Sequence, residues 1–338
     1  MLIFKPQNIR YMTNFSGSVG LLLVTLGNPI LLVDFRYLEQ AKRETKQNCC
    51  EVKLVTNSFF DDLTAILSKF AFKKIGFESE YLTYAKYKYL AEILQGIRLI
   101  SVQNSVEIIR LIKDEDEIKK ISEAAHIADR VFEKILDFIK PGLTEIEIAA
   151  EIEYLMRKFG AEKASFDTIV ASGSNSAMPH AKSTGKKLEA GDFVKMDFGA
   201  MYQGYCSDMT RMVVLGSPDK KKREIYNLVL RAQKTALNKV KEGLCCREVD
   251  SIARDIISEA GYADNFGHNL GHGVGLEVHE LPTIGPKSND FLQSKMVFTI
   301  EPGVYIEGFG GVRIEDLVVL RDDGPEVLTK SPKELVEL

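Results

Sequence analysis

The chain has 338 residues, of which 45% are hydrophobic, and a formal net charge of −4. This length exceeds what one hydrophobic core usually supports, so two globular domains are expected. The mild charge and the dispersed lysines and arginines argue against a nucleic-acid partner. No apolar run approaches the roughly 18 residues of a membrane helix, and the N-terminus lacks a signal-peptide pattern. These features predict a cytoplasmic protein with no membrane partner. The five cysteines show no CxxC spacing and no disulfide pattern, so reduced thiols are expected.

Residues 1–112 predict a small α/β domain. Short apolar runs alternate with stretches of helical periodicity along this part of the chain. The predicted strands lie at 21–25, 30–33, 52–55, 74–77 and 98–102, and the predicted helices start near Phe35 and cover 59–70 and 82–94. This alternation favours a mixed sheet flanked by helices.

Residues 113–338 predict a second domain that opens with a long helix. Apolar residues recur at helical spacing from Ile118 to Ile139, and Pro141-Gly142 is expected to stop this helix. Thr144 and Glu147 then form a capping-box pattern, which predicts another helix that ends near Gly160.

This helical pair recurs later in the chain. The segment from Lys140 to Gly160 aligns with the segment from Lys241 to Gly261 at a constant offset of 101 positions. The matched pairs are Lys140/Lys241, Gly142/Gly243, Leu143/Leu244, Glu147/Glu248 and Gly160/Gly261. Each copy is followed by predicted strands, at 166–171 and 193–215 after the first and at 297–300 and 311–320 after the second. The pattern indicates two related halves, each with two helices and a sheet.

Two aspartates stand among residues that should be buried. Asp197 and Asp208 lie in the stretch VKMDFGAMYQGYCSDMTR, where a glycine-containing turn at 199–204 can bring them together across a hairpin. Buried carboxylates are costly unless they are paired or bound to metal. From this stretch alone, two interpretations stay open: metal binding, or turn capping and pairing with Arg211.

Three of the five histidines, His268, His272 and His279, lie in the single stretch GHNLGHGVGLEVHE. The glycines between them argue against a zinc-binding helix and favour a loop whose backbone approaches a ligand closely. Glu301 and Glu315 each adjoin an apolar run further on. Four carboxylates and an imidazole form an oxygen-rich ligand set, which suits two divalent ions such as Mn²⁺, with Co²⁺ or Zn²⁺ as alternatives.

The motifs MDFG, SDMTR, HNLGHGVGLEVHE, TIEPGVYI and GGVRIED, in this order, resemble those of the pita-bread metallopeptidases, within them the aminopeptidase P and prolidase branch. DFRYLEQA at 34–41 resembles the creatinase-type N-terminal domain of that branch. The resemblance implies an α+β fold, with a creatinase-like domain at 1–112 and a pita-bread catalytic domain with an internal pseudo-twofold repeat at 113–338. It also implies a homodimer.

The resemblance also assigns roles to individual residues. Asp197, Asp208, His272, Glu301 and Glu315 are the implied metal ligands, with Glu315 bridging both ions. His180, His268 and His279 are the implied substrate-side histidines, and Arg313 is expected to orient Glu315 through a hydrogen bond. For catalysis, Glu301 is expected to carry the proton, His279 to stabilise the oxyanion and His180 to act beside the substrate.

The implied substrate is a peptide with proline at its second position. A dipeptidase must bind the free carboxylate of that proline, usually with arginine, and no arginine lies between His279 and Glu301. The sequence therefore favours an Xaa-Pro aminopeptidase over a prolidase that cleaves Xaa-Pro dipeptides. A non-catalytic binding protein of the same fold is a third reading, which the complete ligand set disfavours.

Overall fold

The computed structural model describes residues 1–45 and 49–338, and it divides into two compact units, Met1–Arg110 and Leu111–Leu338. In these described ranges, no helix is both long enough and apolar enough to span a membrane.

Unit 1 is built on one mixed sheet with helices in the connections. Its elements are β1 (Leu2–Ile3), α1 (Pro6–Thr13), β2 (Leu21–Leu23), β3 (Ile30–Val33), α2 (Leu38–Glu44), β4 (Glu51–Leu54), α3 (Phe59–Leu67), β5 (Lys74–Glu78), α4 (Tyr84–Ile93), β6 (Arg98–Val102) and α5 (Glu107–Arg110). The strand order is β4-β3-β2-β1-β5-β6. The sequence prediction missed β1, which is central in the sheet but too short to show any periodicity.

Unit 2 consists of two halves, each with a helix pair followed by strands. The first half contains α6 (Glu115–Ile135), α7 (Glu145–Lys158), β7 (Lys163–Ala164), β8 (Ile169–Ser172), β9 (Phe193–Phe198), β10 (Ala200–Tyr202), β11 (Tyr205–Cys206) and β12 (Met209–Val214). The second contains α8 (Lys220–Lys239), α9 (Cys246–Glu259), β13 (Gly271–Gly273), β14 (Glu280–Ile284), β15 (Val297–Ile300), β16 (Gly303–Ile306), β17 (Gly310–Arg313), β18 (Asp316–Arg321) and β19 (Gly324–Val327), and β20 (Val336–Glu337) ends the chain.

The two halves share the spacing of their second helix and of the glycine turn before it. Helices α7 and α9 begin and end at positions 101 apart, and the N–H groups of Gly142 and Gly243 donate to the carbonyls of Leu188 and Leu292 at 2.9 and 2.8 Å. Both glycines have positive φ, at 92° and 78°, which explains why glycine occupies both positions. The predicted internal repeat is confirmed.

The first helix of unit 2 ends earlier than predicted. Helix α6 begins with a capping box at Asp114 but ends at Ile135, and a turn with a 3.1 Å bond from the Ile139 N–H to the Ile135 carbonyl follows. Because proline disfavours helical backbone in the residue before it, the chain leaves the helix upstream of Pro141.

Two sheets carry the residues of the candidate site. One has the order β20-β12-β9-β8, and the other has the order β14-β13-β15-β18-β19. The side chains of Val194, Met196 and Phe198 on β9 pack in the hydrophobic core beneath α6 and α7. Since side chains alternate along a strand, Phe193, Lys195 and Asp197 face the other way, toward the second half.

Candidate metal centre

Asp197 and Asp208 lie on adjoining segments of one antiparallel pair. Asp197 is in β9 and opposes Thr210 of β12, while Asp208 directly precedes β12. The small β10–β11 hairpin connects them, as the predicted turn requires. A Cβ on Gly199 would lie 1.9 Å from the Ser207 carbonyl oxygen, so only glycine allows the hairpin to close this tightly. Both carboxylates are buried.

Arg211 does not pair with either of these aspartates, and this excludes the non-metal pairing left open above. Its guanidinium donates to Asp316 at 2.7 Å, and both side chains are almost fully buried. Asp316 is also bound by Lys333, Gln233 and Thr329. Asp316, the first residue of β18, thus lies in this structural network, while its neighbour Glu315, just before the strand, faces the site.

His272 lies at the centre of a glycine-flanked strand, β13. A Cβ at Gly271 or Gly273 would lie 2.0 Å from the carbonyl oxygen of Thr299 or Leu281, respectively, so the neighbouring strands approach β13 unusually closely. The N–H of His272 donates to the Thr299 hydroxyl at 3.1 Å. The predicted close backbone approach is therefore present, in a strand rather than a loop.

Glu301 and Glu315 each lie just after a strand of the second half. Glu301 comes directly after β15 and accepts a hydrogen bond from Thr299 at 3.2 Å. Glu315 lies between β17 and β18 and accepts one from Thr210 of the first half at 2.7 Å. The first half thus fixes a carboxylate of the second.

The five predicted ligands converge on one place. Ligand atoms of Asp208, His272 and Glu315 all lie within 4.8 Å of one another. The Nε2 atom of His272 lies 3.3 Å from Oε1 of Glu301 and 3.5 Å from Oδ2 of Asp208. Asp197, the fifth predicted ligand, is connected to the cluster by Arg313. The guanidinium of Arg313 binds Asp197, and its Nε atom lies 4.0 Å from Oε2 of Glu301.

The carboxylates repel one another strongly. Burial and the charges of Glu315, Asp197 and Glu301 raise the pKa of Asp208 well above its usual value. Burial, together with the charges of Glu301 and Asp197, raises the pKa of Glu315 to about 8. Buried like charges of this density need a cation to remain ionised together. The donor set therefore fits divalent metal ions.

His272 and Glu301 form a linked pair within the cluster. Burial opposes the ionisation of Glu301, but the hydrogen bond and charge of His272 outweigh it and lower the Glu301 pKa to about 2. Burial likewise opposes protonation of His272, but Glu301 raises the pKa of His272 to about 9. Each side chain of this pair thus stabilises the charged form of the other.

Arg313 does not donate to Glu315, contrary to the sequence prediction. Its guanidinium donates to Asp197, to the Thr210 hydroxyl at 2.9 Å and to the Tyr305 hydroxyl at 2.8 Å. Arg313 reaches Glu315 only through Thr210, whose own hydroxyl donates to that carboxylate. The reason is positional: Arg313 ends β17, where it faces β9 and β12 of the first half.

The predicted substrate-side histidines surround the cluster. The ring centroid of His279 lies 4.3 Å from that of His272. The Nε2 atom of His268 lies 2.9 Å from the Tyr305 hydroxyl. His180 is exposed. Burial is the main cause that lowers the pKa of His268 and His279, and His180 makes the smallest contribution to both, so the three histidines share one neighbourhood.

Several residues that the sequence reasoning passed over support the site. Thr210, Thr299 and Tyr305 connect the ligands to one another or to Arg313 through hydroxyl groups. Thr210 and Tyr305 belong to the quoted motifs SDMTR and TIEPGVYI, which could have identified them. Lys195, two residues before Asp197, had no such signal.

Comparison with protein families accounts for nearly the whole chain. Residues 119–322 match the model of metallopeptidase family M24, and residues 1–112 match that of the creatinase/prolidase N-terminal domain. The chain belongs to metallopeptidase family M24. As an M24 peptidase, it has the predicted α+β fold, a creatinase-like N-terminal part followed by a pita-bread part.

Relatives of this M24 protein cover its full length. An Xaa-Pro dipeptidase from Pyrococcus horikoshii is 42% identical, with 99% of this chain and 94% of the relative aligned. The structure of an Xaa-Pro dipeptidase from Bacillus anthracis matches with a TM-score of 0.97 and 46% identity, over 100% of this chain and 94% of the other. An X-Pro aminopeptidase structure from Thermotoga maritima matches with a TM-score of 0.93 and 40% identity, over 100% and 97%.

Proposed function

We propose that this protein is an Xaa-Pro dipeptidase that uses two divalent metal ions. The observation that carries the substrate assignment is the similarity over almost the full length to proteins named Xaa-Pro dipeptidase, one of them at a TM-score of 0.97. This reverses the preference drawn from the sequence, which rested on the missing arginine. The position that could have held it is in β14, where Thr283 opposes His272.

The metal ions would be held by the four carboxylates and the imidazole that the two halves bring together: Asp197, Asp208, His272, Glu301 and Glu315. This oxygen-rich set favours Mn²⁺, with Co²⁺ or Zn²⁺ as alternatives. Bound there, the ions would supply Lewis acidity and make a hydroxide nucleophile available at neutral pH. Elemental analysis of the purified protein tests both the number and the identity of the metals.

Glu301 and the histidines around the cluster would carry out the other steps of amide hydrolysis: proton transfer, stabilisation of the oxyanion and contact with the substrate. Glu301, whose Oε1 atom lies 3.3 Å from His272, would accept the proton of the attacking water and carry it to the leaving nitrogen. Burial and the charge of His272 lower the pKa of His279, so its neutral ring can donate an N–H to the developing oxyanion. His180 and His268 would contact the substrate.

The Xaa-Pro aminopeptidase is the second candidate, favoured by the Thermotoga maritima structure and by the neutral Thr283. The two functions differ in substrate length, because only a dipeptidase must bind the carboxylate of proline itself. We expect kcat/KM for Ala-Pro to exceed that for Ala-Pro-Ala under identical metal loading. Equal or better cleavage of the tripeptide would return the assignment to the aminopeptidase.

The proposal also includes the organisation of the chain and its setting. Residues 1–112 would form the creatinase-like domain and residues 113–338 the catalytic domain, in a cytoplasmic homodimer. The family matches at 1–112 and 119–322 support this division. Light scattering of the purified protein tests the dimer: a mass near twice 37.9 kDa is expected.

A further inference from the structure

Lys195 is a fully buried lysine on β9, on the same strand face as Asp197. Its side-chain nitrogen Nζ donates to the carbonyl oxygens of Ser176, Met178 and Pro179 at 3.4, 2.6 and 3.2 Å. These three carbonyls belong to one short segment. The next residue along that segment is His180.

The segment has little regular structure of its own to hold it in place. A short 3-10 helix covers Gly173–Ala177, and the backbone is extended at Met178, whose side chain is exposed. The Pro179 carbonyl accepts a second bond, at 3.2 Å, from Arg313. Lys195 and Arg313 therefore both donate hydrogen bonds to the backbone just before His180, and both lie on the side of the metal cluster.

An apolar side chain would fill this position with less desolvation cost. Burial of an amino group is expensive unless hydrogen bonds compensate for the lost water. Here the compensation comes from the carbonyls of 176–179 and from the face of the Tyr305 ring, whose centroid lies 5.4 Å from Nζ. The bonds of Lys195 are directed at this segment, and they fix its path.

We propose that Lys195 is a positioning residue that acts through His180: by binding the carbonyls of 176–179, it holds the His180 ring at the substrate. The inference rests on the proposed function for the identity of the substrate. The placement of His180 itself does not depend on that function.

The first test is a double-mutant cycle with Ala-Pro as substrate. Lys195→Met keeps most of the side-chain volume and removes the donor. We expect kcat/KM to fall about tenfold, mainly through KM, with metal content unchanged. In a His180→Ala background, Lys195→Met should have less than about a twofold further effect, because contacting residues that act together are not additive. Full additivity would overturn the proposal.

Lys222→Met is the matched control. Its Nζ also donates to a backbone carbonyl, that of Gly191 at 2.6 Å, and also lies over an aromatic ring, that of Phe193 at 6.0 Å. It belongs to α8, outside the candidate site. KM should remain at the wild-type value in this variant, and a rise equal to that of Lys195→Met would contradict the proposal.

The second test does not need activity, so it separates this inference from the proposed function. With ¹³C-labelled histidine, the His180 ring signal is assigned by its loss in His180→Ala. That signal should move in Lys195→Met and stay in Lys222→Met, whether or not Ala-Pro is a substrate. If Lys195→Met fails to fold, Lys195→Leu, which likewise lacks a donor, replaces it in both tests. An unmoved His180 signal in a folded variant overturns the proposal.

Discussion

Asp208 shows how the site depends on single residues. Its carboxylate is buried against three others, and its pKa is raised by burial and by their charge. Asp208→Ala removes a ligand and leaves fewer charges to hold the ions. We expect the loss of kcat/KM to exceed the roughly 10–100-fold typical of residues that only support ligands, together with loss of bound metal. Activity assays paired with metal analysis check this. Near-normal turnover at full metal occupancy would exclude Asp208 as a ligand.

Replacing His279 should impair catalysis without affecting metal binding. The ring of His279 is close to that of His272, but His279 is not among the five candidate ligands. His279→Ala should lower kcat by roughly a hundredfold, the usual cost of one lost oxyanion donor, with metal content unchanged. If metal is lost as well, His279 belongs among the ligands.

Sequence reasoning at this scale identified the acidic and histidine residues that the structure gathers, because charged groups inside apolar runs are conspicuous. It failed where a role depends on a partner far along the chain. Arg313 was expected to bind Glu315, but it binds Asp197. Its connection to Glu315 is indirect, through Thr210, which lies more than a hundred residues away in the sequence. Lys195 is also a charged residue inside an apolar run, but its role could not be predicted, since only the fold brings 176–179 beside it.

At the scale of elements, the contact between β12 and β18 joins the two halves through Arg211 and Asp316. Breaking a buried ion pair leaves an uncompensated charge, so Asp316→Asn should lower the free energy of unfolding by about 3–5 kcal/mol. Urea denaturation followed by circular dichroism measures this. The control is Glu337→Gln, which breaks the exposed 2.7 Å pair with Arg223 and should cost less than about 1 kcal/mol. Equal effects of the two substitutions would contradict a special role for the buried pair.

The same pair predicts a pH dependence. Burial raises the pKa of Asp316, but Arg211 and Lys333 outweigh it, and the pKa lies below its ordinary value. A carboxyl group with a depressed pKa stabilises the fold above its unfolded pKa of about 3.9, and this stabilisation is lost as pH falls through the folded pKa. The stability difference between wild type and Asp316→Asn should therefore be constant above about pH 5 and shrink in more acidic solution. A difference that grows with acidity would have the wrong sign.

The sequence also predicted many element positions from periodicity and caps, such as the helix pair repeated 101 residues apart. It placed the end of α6 too late and joined β17 and β18 into one strand. Both errors occur where local apolar character continues while the backbone changes direction. Glu315 lies in that interruption, where tertiary contacts with Thr210 decide the backbone path.

At the scale of the whole molecule, the metal cluster belongs to one unit only. All five candidate ligands lie in Leu111–Leu338 and none in Met1–Arg110. Ligands that bind only the folded state stabilise it, by about 2.7 kcal/mol at a free concentration 100 times Kd. Removing metal by chelation should therefore lower the unfolding temperature of unit 2 and leave that of unit 1 unchanged. Hydrogen exchange during thermal unfolding resolves the two, and Asp208→Ala, which should not respond to metal, is the control.

The candidate ligands come from both halves, and this has a consequence for biosynthesis. Asp197, Asp208 and Arg211 are made well before their partners Glu301, Glu315 and Asp316, and β20, which pairs with β12, is made later still. A chain still attached to the ribosome thus has an acidic pair and an arginine without their buried partners. Metal loading is therefore expected only after Glu301 and Glu315 have been made, and a chain cut short before residue 301 would hold three of the five candidate ligands, Asp197, Asp208 and His272.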